Sequence, residues 1–502
     1  MNTSKKYKTM NFFKRGVLVI GMLSALSACK KNEWLNPQPS TLITDETAFS
    51  TPERIQSQVN GVYSQLKTSR FLGSWYYIVS DIRAGDFLSS NLNAANGATS
   101  YLLQTQTTTN DVVNIWEQGY QAINASNVFI DGMNTYGMEV VGEEQGTIYI
   151  AEARLVRALA YYYLLQLYAR PYWDGNGSKP GLPLRLEGNK EPGNYDLARS
   201  SVAETYAQII ADLDFAEANL PDSYSSAFLN TTRAHKNTAI ALKVRAYMSM
   251  GDYDKVIEEA GKIVSETAPF TALTGVKHAL SPSVRAVFDP PYTTTESIFS
   301  MPFTSNDAPG TSIAGYFLPG TQDGGTTVYS GSGDYSLYAD GIPASTNWKA
   351  TDDRRAFLLT GPTSGKLWLF KLRQASPHTD YVPVIRYAEI LLSLSEAITR
   401  STGAVSEKAV TLLNAVRHRS DKSTTFTVSD FPDKDSLLEQ LITERQIEFL
   451  GEGIRNSDIM RLGLDIPAKP AHSVRASKPT DENYIFPISN DELTLNGLME
   501  NN

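Results

Sequence analysis

The sequence predicts a mainly α protein: a tetratricopeptide-like array of helical hairpins, an α/α superhelix, carrying an irregular loop-rich lobe with a few short strands. Three observations predict it. Apolar residues recur at helical spacing over about 45–265 and again over 386–465. The stretch 233–264 sets small residues at the close contacts of a helical pair and turns through Gly251-Asp252-Tyr253-Asp254, a helical-repeat pattern. Between about 270 and 385 the periodicity gives way to Gly, Ser, Thr, Pro and Tyr.

The N-terminus precedes this array as a processing signal. Lys5, Lys6, Lys8, Lys14 and Arg15 form a basic region, and Gly16–Leu26 is an apolar run too short to span a bilayer. Leu26-Ser27-Ala28-Cys29 follows, a bacterial lipobox pattern that makes 1–28 a signal peptide and Cys29 the lipidation site. Cys29 is the one cysteine of the 502 residues, so no thiol is left for a disulfide, a zinc site or a nucleophile. Residues 29–44 are a polar, Pro-broken tether. Net charge is −9, and loss of the five signal cations takes it a further five down, to −14. That balance argues against nucleic acid as a partner.

The helices follow in order. Ser50-Thr51-Pro52-Glu53 opens the first, with Ile55, Val59, Val62, Tyr63 and Leu66 on its stripe. Residues 71–82 form a second, with Trp75 in its core pattern, and 86–110 is an exposed Asn/Ser/Thr loop. Ile115, Trp116, Tyr120, Ile123 and Val128 mark the next helix, and Ala151–Leu167 is a strong one, apolar on more than one side. After a Pro/Gly loop over 171–199, Ser201-Val202-Ala203-Glu204 caps a helix that stops before Pro221. Residues 386–402 and 405–418 pair like 233–250 and 255–264. Ser436 opens a last long helix that Gly451-Glu452-Gly453 breaks, Ile454–Leu462 resumes, and Ile485–Ile488 forms an apolar plug. Asp352-Asp353-Arg354-Arg355 is expected to be a solvated helix start.

No Gly-x-Ser-x-Gly, His-Glu-x-x-His or P-loop is present, so no catalytic residue, cofactor or metal site is assigned. His235, His278, His378, His418 and His472 are scattered singly and are expected at the surface or behind it. Asp323, Asp334 and Asp340 lack EF-hand order.

Glu444-Arg445-Gln446-Ile447-Glu448-Phe449-Leu450-Gly451-Glu452-Gly453-Ile454-Arg455, with Asp458-Ile459-Met460-Arg461-Leu462-Gly463, is similar to the C-terminal signature of the SusD/RagB outer-membrane lipoproteins. Arg386–Leu392, Ala151–Pro171, Asn60-Gly61-Val62-Tyr63 and Phe486-Pro487-Ile488 resemble the family's other signatures, in order. The family often carries acidic residues after the lipidated Cys, whereas Lys30 and Lys31 follow Cys29 here. The resemblance implies a non-enzymatic, lipid-anchored outer-membrane protein, probing the cell exterior, that binds a glycan or another nutrient for a SusC-like TonB-dependent barrel. It also implies one domain over 45–502 whose ligand is carried on loops. The charged signature residues Glu444, Arg445, Glu448, Glu452, Arg455, Asp458 and Arg461, with Gly453, are expected to clamp the array: Arg445–Glu448, Arg455–Asp458 and Asp458–Arg461 have helix-face spacing.

Sugars are held by aromatic faces and a few directed polar groups. Two loop regions offer both. The first supplies Phe87, Asn91 and Asn93, with Trp75 near it; the second supplies Tyr316, Tyr329, Tyr335, Tyr338 and Trp348. The amides Asn91, Asn93, Asn96 and Gln104 suit a peptide ligand as well, and a repeat array also suits a protein-binding scaffold.

Overall fold

A computed structural model describes residues 44–325 and 330–502. The signal segment, Cys29, the tether up to residue 43 and Tyr329 lie outside the described residues. The chain divides into Met1–Ala48 and Phe49–Asn502. In the first unit the described residues form one short helix, Asp45–Ala48.

In the second unit, α1 (Pro52–Leu66) starts one residue later than its sequence signal. Thr51, not Ser50, is the cap, its hydroxyl accepting the Arg54 N–H at 3.3 Å. Ile55, Val59, Val62 and Leu66 form the buried stripe. α2 (Trp75–Arg83) is buried along its whole length and leads into the strand β1 (Phe87–Ser89). α3 (Asn110–Gly132) and α4 (Glu143–Tyr168) follow. α5 (Val202–Asn219) begins with the reciprocal Ser201/Glu204 box: the Glu204 N–H donates to Ser201 Oγ at 3.1 Å and the Ser201 N–H to Glu204 Oε2 at 2.7 Å. After the short α6 (Ala227–Thr232), α7 (Lys236–Met250) and α8 (Tyr253–Ile263) form the predicted hairpin. Gly251 makes its turn at φ 75°, where a side chain would be strained.

The lobe supplies β2 (Ser297–Met301), α9 (Ile313–Phe317), β3 (Tyr335–Leu337), β4 (Leu358–Thr360), β5 (Leu367–Leu369) and β6 (Val382–Arg386). The chain then returns to helices: α10 (Tyr387–Thr402), α11 (Glu407–Ser420), α12 (Lys434–Glu448) and α13 (Arg455–Leu462). Packing runs α1 on α3, α3 on α4, α4 on α5, α5 on α7, α7 on α8, α8 on α10, and α10 on α11 and α12. This is the helical array the sequence predicts. α4 and α7, sandwiched between neighbours, are buried on nearly every side, which is why their apolar residues do not keep to one stripe.

Among the described residues the strands form an antiparallel sheet of order β1-β3-β5-β4 and a separate β2-β6 ladder. The first sheet corrects the expected exposed loop at 86–110. Phe87 and Tyr101 are both fully buried there, because β1 pairs with β3, some 250 residues later in the chain.

The charged run at 352–355 is also corrected. Asp352 and Arg354 are buried, and Arg354 donates to Asp352, to Glu444 at 2.7 Å and to Glu448 at 2.9 Å. They belong to a buried cluster that includes Glu444, Glu448 and Glu452 of the C-terminal signature. Among the described residues it joins Arg354, Lys371, Arg386, Arg417 and Arg419 to Glu296, Asp352, Glu444, Glu448 and Glu452. Positive and negative groups match in number, which a low-dielectric interior requires. Glu448 accepts from Arg419 at 2.6 Å, Arg354 at 2.9 Å and Arg386 at 3.0 Å. Burial alone raises the Glu448 carboxyl; Arg419, Arg386 and Arg354 outweigh it and hold the group well below the usual carboxylate range.

The signature charges are paired inside the fold, and of the three pairs the spacing gives, Asp458–Arg461 forms directly while Arg445 takes another partner. Arg445 pairs across to Asp458 at 3.0 Å rather than with Glu448. Asp458 also takes Arg461 at 2.8 Å, as expected, and Arg461 reaches Glu396 at 2.7 Å. Arg455 lies near enough to Asp458 to lower its carboxyl electrostatically, without a direct bond. Helix-face spacing identifies neighbours on one helix, whereas these side chains turn inward to partners on other elements.

His235 and His278 are likewise corrected. They are buried and stacked at 5.2 Å, with His235 Nε2 against the Asn230 carbonyl and His278 Nδ1 against the Thr295 carbonyl, both at 3.1 Å. Burial, with each other's proximity acting on His235, pushes them down to about 3 and about 4, so both are neutral at physiological pH.

Candidate functional site

The two loop regions chosen from sequence meet in one place. The β1–β3 ladder sets Phe87 opposite Leu337, Leu88 opposite Ser336 and Ser89 opposite Tyr335. It continues outward as Ser90 N–H to the Asp334 carbonyl at 2.6 Å and inward as Tyr338 N–H to the Asp86 carbonyl at 2.8 Å. Residues 90–97 leave the outer end of this ladder as an arm. Asn93 caps its turn, accepting the Ala95 N–H at 2.9 Å, and Asn96 donates to Asp334 Oδ1 at 2.9 Å. Ser332 donates to the other oxygen of Asp334. Gly97 sits at φ 81° against Ile82, Trp75 and the Tyr335 hydroxyl, where a Cβ would lie only 3.1 Å from Ile82.

The arm rests on an aromatic floor. Phe87 stacks on Phe317 at 4.2 Å with 16° between planes. Tyr335 is fully buried, its hydroxyl donating to the Asn96 carbonyl at 2.5 Å. The Trp75 indole N–H donates to Asp111 at 2.7 Å, and Tyr316 meets the Trp75 ring edge-on at 5.1 Å. Tyr316 is half-buried. Burial, then the carboxylates of Asp334 and Asp111, pushes its hydroxyl up to about 12, so it stays protonated at neutral pH and can donate or accept. Asn91 and Asn93, on the arm, are exposed. Lys366 reaches the rim by donating to Ser90 Oγ at 2.8 Å.

The predicted residues thus separate by position. Asn91 and Asn93 are exposed on the arm, and Tyr316 is half-buried beside Trp75. Phe87 and Tyr335 form the buried underside of this platform, so their rings support the surface without facing a ligand. Tyr338 is half-buried at the inner end of the ladder. Trp348 stands apart: it is 2 % exposed, covered by the Arg355 guanidinium at 4.5 Å, and its neighbour Asn347 accepts from Arg417 at 2.8 Å. Its Gly/Ser-poor flank gave no sign of that cover. The sequence reading missed Asp334 and Ser332, which lock the arm; their role depends on a contact 238 residues away in the chain. Asp323 is also spoken for, accepting the Ser364 N–H at 2.8 Å and the Trp368 indole N–H at 2.7 Å. Among the described residues no group of three or more His, Cys, Asp or Glu side chains is placed to hold a metal ion.

The signature segment anchors this platform. Gln446 on α12 donates to Asp86, the residue before β1, at 2.6 Å. Lys371, just beyond β5, donates to the carbonyls of Glu448 and Leu450 at 2.8 and 3.0 Å and to Glu452 at 2.7 Å. The Gly453 N–H donates to Asp81 near the end of α2 at 3.1 Å. Gly453 has φ 69°, and a Cβ there would lie 2.8 Å from the Tyr77 ring.

A SusD-like family described as starch-binding and associating with the outer membrane matches residues 33–248, and the SusD family matches 371–502. A SusD superfamily protein from Bacteroides fragilis is 31% identical, with a TM-score of 0.78 over 90% of this chain and 99% of that one. The chain belongs to the SusD/RagB family. SusD-like protein P2 of Formosa agariphila is 27% identical over 99% of each chain. The surface glycan-binding protein A from Bacteroides uniformis, 20% identical, shares the SusD fold with a TM-score of 0.72 over 90% of this chain and 99% of that one. Neither SusD family description names a catalytic activity, and among the described residues no helix is long and apolar enough to cross a membrane.

Proposed function

We propose that this SusD-family protein is a glycan receptor that captures its ligand on the platform of residues 90–97, Tyr316 and 332–334 and passes it to a SusC-like TonB-dependent barrel. The reading rests on the β1–β3 ladder, which joins the arm carrying the exposed Asn91 and Asn93 to the strand next to Asp334, whose carboxylate acts on the half-buried Tyr316. One aromatic face beside directed amides and a hydroxyl is the donor set that a neutral sugar ring uses. The family's description as starch-binding points the same way. In this reading residues 1–28 are cleaved, Cys29 carries the lipid, 29–44 span the distance from the outer leaflet, and 45–502 face the cell exterior as one binding domain. This reading is non-enzymatic, and the engagement of the buried carboxylates Glu296, Glu444, Glu448 and Glu452 by cations, which leaves them unsuited to proton transfer, supports it.

Affinity electrophoresis and calorimetry against a panel of polysaccharides and oligosaccharides, with a peptide digest as control, test the reading. Binding to one glycan class, weakened at least tenfold in the folded protein by Tyr316→Ala with Asn93→Ala, is the expected result. Glycan affinity untouched by both changes would remove the platform. Heat from the peptide digest alone would establish the second reading, peptide capture, which the exposed Asn91 and Asn93 amides also fit.

A further inference from the structure

A second concavity lies on the helical array, built from α1, α6 and the chain leaving β2. It has a volume of about 360 Å³. That falls in the range of about 300–1,000 Å³ in which pockets take small organic ligands, at the small end. Its walls are Gln56, Asn60 and Ser64 from α1, Phe228 and Thr232 from α6, Met301 at the end of β2, and Pro302 after it.

The charged groups at its base are all paired. Arg233 forks onto Glu152 at 2.6 and 2.9 Å, and Tyr63 donates to the same carboxylate at 2.7 Å while accepting the Ala234 N–H at 3.0 Å. Lys67 is held by Asp307 and by the Pro302 carbonyl, the latter at 2.7 Å, and lies over the Phe303 ring at 5.0 Å. The base is therefore rigid and electrically balanced, with no charge left over to select an ionic ligand.

The rim is the opposite. Gln56, Asn60 and Ser64 are exposed, spaced by four along one face of α1, and their side chains have no hydrogen-bond partner among the described residues. Facing them, Phe228 is 48% exposed, a large apolar ring left in water on a six-residue helix. Tyr63 is tied down on this stretch of α1, while Asn60, one turn before Ser64, is exposed and lines the opening.

We infer that this pocket is a second, accessory glycan site, taking one or two neutral sugar rings with Phe228 as the stacking face and Gln56, Asn60 and Ser64 as the hydrogen-bonding row. Its ligand class rests on the glycan reading of the platform; its location does not. Two sites on one chain let a polymer engage twice, so that the second contact forms at high effective concentration.

The test uses the full-length protein in detergent and the glycan that the polysaccharide panel selects, as oligosaccharides of two to seven rings. Calorimetry with the shortest binding oligosaccharide is expected to give two sites per chain. Phe228→Ala with Asn60→Ala is expected to remove one of them and leave the other at its original affinity, with the melting temperature unchanged because both side chains are exposed. The same double change is expected to weaken the parent polysaccharide at least tenfold. One site per chain, lost with Tyr316→Ala and Asn93→Ala and indifferent to Phe228→Ala and Asn60→Ala, would overturn the accessory site and leave the platform standing. Silence toward every glycan would overturn both, and loss of all binding through the α1–α6 pocket alone would overturn the platform instead.

Discussion

Glu448→Gln is the sharpest probe of the buried cluster. The wild-type carboxylate is fully buried and accepts from three guanidiniums at 2.6, 2.9 and 3.0 Å. The amide is isosteric, so packing is preserved while a negative charge is lost and an NH2 group is turned toward arginines. Arg354 keeps Asp352 and Glu444, and Arg386 keeps Glu296 and Glu452, whereas Arg419 is left with Glu296. Breaking a buried pair by removing one partner costs about 3–5 kcal/mol, against a total stability of about 5–15 kcal/mol. Urea unfolding followed by near-ultraviolet circular dichroism is expected to show that loss as a lower midpoint at unchanged slope. Glu258→Gln is the control: it removes an equally short pair, to Lys255 at 2.8 Å, from a fully exposed site, and should leave the midpoint in place. The acid limb gives a second reading. Because the folded Glu448 carboxyl titrates well below its unfolded value, its contribution is complete above about pH 4.5 and is lost as pH falls toward the folded pKa. The variant should lack that part of the acid transition. A midpoint within about 1 kcal/mol of wild type, with the acid limb unaltered, would refute the view that these charges are desolvated and mutually dependent.

Three further outcomes follow from other positions. Gly453→Ala forces a Cβ at φ 69° to within 2.8 Å of the Tyr77 ring, so it should destabilise by more than about 1 kcal/mol in the same unfolding assay and loosen hydrogen exchange at the C-terminal end of α2. Lys469 is 1% exposed, its ammonium 4.9 Å above the Tyr101 ring, and burial, then Arg83, pushes it from 10.5 down to about 7. The unfolded chain therefore binds more protons between pH 7 and pH 10.5, stability should rise with pH across that window by on the order of 4 kcal/mol, and Lys469→Met should flatten the rise and be more stable than wild type at pH 7. Trp348→Ala empties a closed site beneath Arg355 and should cost about 3–5 kcal/mol in stability, with glycan affinity of the folded fraction unchanged by titration calorimetry.

The helical half was legible because its physics is local. The stripe of α1, the Ser201/Glu204 box and the Gly251 turn each follow from residues within a few positions of one another. The family resemblance added the clamp, though not its wiring: Arg445 takes Asp458 and Glu448 takes Arg354, pairings that helix-face spacing does not reach. The lobe was legible as an irregular, short-stranded region and illegible inside it. Phe87, Tyr335 and Trp348 carry the same composition signal as Tyr316, and what separates them is burial against Phe317, Asn96 and Arg355, from elsewhere in the chain. The charged run at 352–355 misled for the same reason, since four charged residues side by side resemble a solvated turn until their partners on α11 and α12 are known.

The β1–β3 ladder joins the two arms of the platform before any ligand arrives. Fixing one free residue costs about 1–2 kcal/mol of backbone entropy, so an eight-residue arm left loose would drain most of the affinity that a few sugar contacts supply. With Asn96 locked to Asp334 and Gly97 lodged beside Trp75, that ordering is already complete in the folded chain. Encounter with a ligand at the proposed platform can then proceed at the rate of docking two rigid surfaces, and differences in residence time among ligands are expected to report contacts made there rather than the ordering of the arm.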